Sequence, residues 1–146
     1  MTQLVDIWPS VNADYAAINI SGLSANSRLI KHGDVFIALQ GQQHDARKFI
    51  PQAIAQGAVA VLCQTEGETV KQGSVPIIAI KDLPQHLGDI AARFYGHASQ
   101  DLTVLAVTGT NGKTSCAQLL AHACSFLGKK SAVLGTLGNG LVGELV

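Results

Sequence analysis

Apolar residues in this chain gather in short unbroken runs, separated by polar stretches that contain glycine. Asp34–Gln40 is entered from the turn at His32-Gly33 and ended by Gly41. Ala58–Cys63, Pro76–Ile80 and Leu102–Val107 have the same character. Runs this short and this apolar predict strands buried on both faces. Helical patterns lie between them. Asp45 can cap a helix running to about Gln56, with Gly57 as its stop. Pro51 inside it lacks an N–H, so the helix must start nearer Ile50 or bend there. Asp82 can cap a second helix, with Pro84 in its first turn. Leu83, Leu87, Ile90, Ala91 and Phe94 form its apolar stripe, and it ends near Tyr95-Gly96. A third helix is expected from Lys113 to Leu127, stopped by Gly128, before a strand at Ser131–Leu134. Weaker patterns suggest a short helix at Leu4–Trp8, a strand at Tyr15–Ile20, and a surface loop or short helix across Gln64–Ser74. Strand and helix alternate, which predicts an α/β fold with a parallel sheet. The polar link His97–Asp101 divides it into a domain of residues 1–99 and the beginning of another at 100–146.

Composition narrows the class. The 146 residues carry 10 Lys+Arg against 10 Asp+Glu, 14% are charged and 47% are hydrophobic, so a disordered chain is excluded. Neutrality argues against a phosphate-driven nucleic-acid binder. No run approaches the roughly 18 apolar residues of a membrane span, and Met1–Ser10 has no basic, apolar leader pattern. A cytoplasmic location is expected, without membrane insertion. Cys63, Cys116 and Cys124 are odd in number and form no C-x-x-C, so they are expected as small buried hydrophobes. His32, His86, His97 and His122 lack metal-ligand spacing. Lys129-Lys130 reads as a helix C-terminal pair that favours the dipole.

The densest chemistry is Thr108-Gly109-Thr110-Asn111-Gly112-Lys113-Thr114-Ser115, between an apolar strand pattern and a helix. Gly109 and Gly112 permit a sharp turn and close approach to an anion. N–H groups at the helix start attract phosphate. Lys113 adds a full charge, and Thr114 can join a Mg²⁺ shell. In the general pattern G-x-x-x-x-G-K-[ST] the leading glycine would fall at Val107. Here the extra glycine is Gly109.

The string TGTNGKT resembles the ATP loop of the Mur ligase family, in which the displaced glycine also occurs. Asn26-Ser27-Arg28, Lys31-His32-Gly33-Asp34 and Gln42-Gln43-His44-Asp45 look like the uridine-binding domain of that family's MurE-type branch. The family usually has Asp where Asn26 stands. Gly135-Thr136-Leu137-Gly138-Asn139-Gly140 resembles the same branch.

The resemblance implies ATP-dependent amide formation in peptidoglycan precursor synthesis. A diamino acid, meso-diaminopimelate in preference to L-lysine, would join UDP-N-acetylmuramoyl-L-alanyl-D-glutamate through an acyl phosphate. It implies that Gly109, Thr110, Asn111, Gly112, Lys113, Thr114 and Ser115 bind ATP, with Lys113 and Thr114 catalytic and Thr114 on Mg²⁺. It implies that Ala25, Ser27, Arg28, Gln42, Gln43 and His44 bind the UDP-substrate. A full-length monomer is expected. Residues 100–146 would be the opening β–phosphate-loop–α–β unit of a central parallel-sheet ATPase domain. With further Mg²⁺ ligands and an amino-acid pocket missing, the chain is expected to be an N-terminal piece that binds without catalysing. The alternatives are a MurF-type ligase or a stand-alone nucleotide-binding regulatory module. Residues 1–100 argue against a folate-type ligase, whose ATP domain comes first.

Overall fold

Alternate residues of the apolar runs go to opposite faces of one sheet, and each face meets a different set of helices. A computed structural model of the chain describes residues 2–41, 45–67 and 69–145. They form two units, one ending at Asp101 and one beginning at Leu102. In chain order the first unit contains β1 (Thr2–Gln3), α1 (Leu4–Ile7), α2 (Ala13–Ala16), β2 (Asn19–Ile20), β3 (Gly22–Ser24) and β4 (Asp34–Ala38). It continues with α3 (Ile50–Ala55), β5 (Ala60–Gln64), β6 (Val70–Gln72), β7 (Val75–Ile80) and α4 (Leu83–Phe94). The second unit contains α5 (Lys113–Phe126), β8 (Ala132–Gly135), β9 (Gly138–Leu141) and β10 (Glu144–Leu145).

The first unit is built on a five-stranded sheet in the order β3-β4-β5-β7-β6. Its first four strands are parallel, and β6 pairs antiparallel with β7 at the edge. Val35, Ile37, Ala60, Leu62, Ile78 and Ile80 join Leu4, Ile7, Leu83 and Ile90 on one face. Phe36, Ala38, Val61 and Cys63 join Ile30, Ile50 and Ala53 on the other. Helices on both faces of a parallel sheet explain why these strands read as continuous apolar runs. The mixed α/β class expected from the alternation is present.

Several local expectations need adjusting. The expected strand at Tyr15–Ile20 shortens to Asn19–Ile20, because Asn12 caps a turn of helix before it and accepts from the Asp14 N–H at 3.0 Å. The Gln64–Ser74 stretch contains a strand, β6, which gains its hydrogen bonds from β7. Pro51 does not break its helix. A 3₁₀ turn at Ala46–Phe49 comes first, and the α-helix starts at Ile50 with the proline in its first turn. Asp82 precedes α4 but its side chain makes no cap bond.

In the second unit the expected strand Leu102–Val107 joins no ladder. Leu102, Val104 and Leu105 are exposed. An extended run becomes a strand only when a neighbour takes its N–H and C=O groups. The β8, β9 and β10 strands form a separate antiparallel sheet.

Candidate functional site

Gly112 sits at φ +75° directly before α5, a left-handed conformation that glycine adopts without the cost of a Cβ. Space is not the constraint there, since a Cβ would meet nothing within 4 Å. The turn delivers the chain into a 14-residue helix with no side-chain cap. The first-turn N–H groups of a helix have no intrahelical partner and attract an anion. Lys113 folds back over the loop, and its Nζ donates to Gly109 O at 2.6 Å and to Thr110 O at 3.2 Å. The Thr114 and Thr136 hydroxyl oxygens lie 3.3 Å apart. The loop thus brings Gly109, Thr110, Gly112, Lys113 and Thr114 close together. Asn111 and Ser115 are exposed on the same segment.

The donor set fits a nucleotide phosphate accompanied by Mg²⁺. Among the described residues no cluster of three or more His, Cys, Asp or Glu could hold a metal ion. Mg²⁺ commonly takes few protein ligands and fills its shell with phosphate oxygens and water, so Thr114 would supply one ligand of such a shell beside the nucleotide's own oxygens.

Of the residues expected to bind a uridine, Ala25, Ser27 and Arg28 lie just past the carboxyl end of β3. In open α/β sheets, ligands bind beyond these strand ends. Asn26 Oδ1 accepts from the Arg28 N–H at 3.0 Å and caps the 3₁₀ turn Ser27–Leu29. That bond needs only an acceptor, which explains how Asn serves where the family usually has Asp. Ala25 and Arg28 are exposed. Ser27 is 7% exposed, and its hydroxyl donates to Gln52 Oε1 at 3.2 Å. A hydroxyl whose proton is so placed offers its lone pairs and can accept an imide N–H. Gln42, Gln43 and His44 lie outside the described residues.

At the end of β4 and β5, Gln40 N donates to Gln64 Oε1 at 2.9 Å, and Gln40 bridges Asp45 antiparallel. Arg47 grips the Asp45 carboxylate through Nε and Nη2, both at 2.8 Å, and Nη1 reaches Gln64 O at 3.3 Å. The bonds from Arg47 hold the Asp45 carboxyl down at about 2. Burial pushes the nearby Cys63 thiol up. Cys63 is buried as expected. Cys116 is exposed, because that side of α5 is uncovered in the second unit.

The first unit also has two clefts, the larger of which borders the Ser27–Leu29 turn. One of about 500 Å³ is lined by Ser21–Ser24, Leu29, Lys31, Asp34, Phe94 and Tyr95, and one of about 250 Å³ by Ile7–Ser10 and α4. Neither includes Ala25, Ser27 or Arg28. No helix among the described residues is long and apolar enough to cross a membrane. Residues without an assigned role in the sequence also contribute. Gln52 meets Ser27 from 25 positions away, and Thr136 meets Thr114 from 22. Thr136 falls within the glycine-rich segment that resembled the MurE-type branch, but nothing there marked its partner.

The chain is similar to known proteins over both units. The profile described as Mur ligase family, catalytic domain, matches residues 19–95, a segment that ends before the phosphate loop. The UDP-N-acetylmuramoyl-L-alanyl-D-glutamate–2,6-diaminopimelate ligase of Nitrosomonas europaea is 45% identical over 129 residues, 88% of this chain and 25% of that protein. A solved structure of a ligase of the same name is 33% identical with TM-score 0.75, over 99% of this chain and 29% of that one. A MurF ligase from Thermotoga maritima, solved with ADP, is 26% identical with TM-score 0.58, over 78% of this chain and 24% of its own. The chain spans about a quarter of the length of the curated relative it matches. With the family profile covering more than half of its residues, over the parallel sheet with α3 and α4, the chain belongs to the Mur ligase family.

Proposed function

We propose that this chain carries the substrate-anchoring and phosphate-binding parts of a MurE-type ligase acting in the cytoplasm. The carrying observation is the loop before α5, where Lys113 lies over the Gly109 and Thr110 carbonyls and Gly112 turns the chain into an uncapped helix. The relative named for diaminopimelate addition supports MurE-type over MurF-type, since its solved namesake matches 99% of the chain against 78% for the MurF structure. On this reading residues 1–99 bind UDP-N-acetylmuramoyl-L-alanyl-D-glutamate and residues 100–146 begin the ATP-binding domain. The amino acid added is meso-diaminopimelate in preference to L-lysine.

The reaction assigned is phosphorylation of the D-glutamyl γ-carboxylate by ATP, followed by attack of the diamino acid amine on the acyl phosphate. Phosphate then leaves. The residues of this chain contribute position and charge. Lys113 exchanges its neutral carbonyl acceptors for phosphate oxygens and offsets their charge. The segment Gly109–Gly112 lets the backbone approach the phosphates. Thr114 would hold Mg²⁺, which when bound supplies further positive charge at the phosphates. Ala25, Ser27 and Arg28 would fix the uridine end, and binding energy there can serve to orient the distant carboxylate. Gln42, Gln43 and His44 are assigned to the same substrate. The 146 residues bind both ligands and do not form the amide bond by themselves.

Calorimetry on the 146-residue chain tests this. Lys113→Ala should lower ATP affinity at least about tenfold and leave UDP-substrate binding unchanged. Ser27→Ala should do the reverse. ATP binding indifferent to Lys113→Ala would overturn the phosphate-loop assignment. Amide formation by the wild-type chain above a Lys113→Ala control would overturn the division of labour.

A further inference from the structure

We propose that Thr136 is a positioning residue for the phosphate loop, taking the proton of the Thr114 hydroxyl and so turning a Thr114 lone pair toward Mg²⁺. The proposal rests on the reading of this loop as a Mg²⁺–nucleotide site. A threonine hydroxyl has one proton and two lone pairs. If it is to offer a lone pair to a cation, its proton must go to an acceptor on another side. The Thr136 hydroxyl lies 3.3 Å from that of Thr114, close enough to be that acceptor. Losing a partner that orients a metal ligand in this way lowers metal affinity even though the ligand itself is intact.

The position of Thr136 is built rather than incidental. It lies in the two-residue connection between β8 and β9, which pair from Gly135↔Gly138 onward. Asn139 Oδ1 accepts from the Gly135 N–H at 3.2 Å and closes that turn. At the other end of β8, Ser131 Oγ donates to Ala121 O at 2.8 Å and lies 2.7 Å from Ser125 Oγ. The hairpin is therefore fastened to α5 by hydroxyls at both ends of β8. The Ser131 end meets the second half of α5, and the Thr136 end meets its phosphate-loop end. The five steps of chain from Ser131 to Thr136 cover about 16 Å, and the seven helical steps from Thr114 to Ala121 about 10 Å, so one short hairpin reaches both points.

The test measures ATP affinity of the 146-residue chain by calorimetry with Mg²⁺ and with the metal chelated, taking the ratio as the readout. Thr136→Val keeps the shape and removes the hydroxyl. It should lower the ratio about fivefold while leaving metal-free affinity within about twofold of wild type. Thr136→Ser should restore the wild-type ratio. In a Thr114→Ala background, Thr136→Val should have no further effect. The proposal is overturned if Thr136→Val leaves the ratio unchanged or raised, which is the result expected if Thr136 is the donor. It is also overturned if metal-free and Mg²⁺-bound affinities fall together, or if the effect persists without Thr114. A wild-type chain with no ATP affinity, or affinity indifferent to Lys113→Ala, would instead defeat the nucleotide reading on which the proposal stands.

Discussion

Two apolar runs of this chain, Ala60–Gln64 and residues 102–107, look alike in sequence and end in opposite states. The first is β5, with Ala60, Val61 and Leu62 fully buried and strands on both sides. The second is extended but unpaired, with Val104 71% exposed. The difference lies in their surroundings. β5 has β4 and β7 to bond its backbone, and α1, α3 and α4 to cover its side chains. In the second unit only α5 and an antiparallel hairpin are at hand, and Leu119, Phe126, Leu134 and Leu137 are exposed there as well. Hydrophobic content makes a run eligible for a sheet, but its neighbours decide whether it enters one.

Hydrogen exchange should give the widest separation between these runs. Amides of Val61–Cys63 should exchange at least about a thousandfold more slowly than those of residues 104–107 in the 146-residue chain. Equal protection would break the comparison. Truncation in urea denaturation sharpens it. Leu62→Ala should cost about 2–5 kcal/mol, while Leu105→Ala should stay within about 0.5 kcal/mol. A large loss at Leu105 would mean that this run is covered in solution.

The smallest effect concerns charge at the strand ends of the first unit. Arg47 holds the Asp45 carboxyl at about 2 against its ordinary 3.8. A carboxyl depressed in the folded state adds stability that is present above its ordinary value and is lost as pH falls through its folded value. The pH dependence of stability between about pH 4 and 2 should therefore flatten slightly in Asp45→Asn. A carbon-detected titration of Asp45 with a midpoint near 4 would remove the basis for this. Solvent exposure keeps the expected effect modest.

What could be read in the sequence follows the same physics. β4, β5 and β7 were legible because burial on both faces leaves unbroken apolar runs, whereas the short β1 and β3 carry no such run. β6 was not, because Val70-Lys71-Gln72 has no apolar signature and exists as a strand through its pairing with β7. The phosphate loop was legible because its chemistry is packed into eight consecutive residues. Gln52 and Thr136 were not, because each acts through a partner more than 20 positions away. Asn26 looked like a departure from the family pattern, yet its acceptor oxygen does what the turn requires.

The posture of Lys113 has a consequence for selectivity. Its ammonium is already occupied by two carbonyls of its own loop. An incoming molecule therefore meets a cation with a tenant, and must offer something better than a neutral oxygen to evict it. Amides, sugars and water offer no improvement over what is already there. A phosphate does, because a charge-assisted bond is roughly twice as strong as a neutral one. On the assignment proposed above, the loop thus favours a phosphate over a neutral solute without a steric gate, its own two carbonyls being what a ligand must displace.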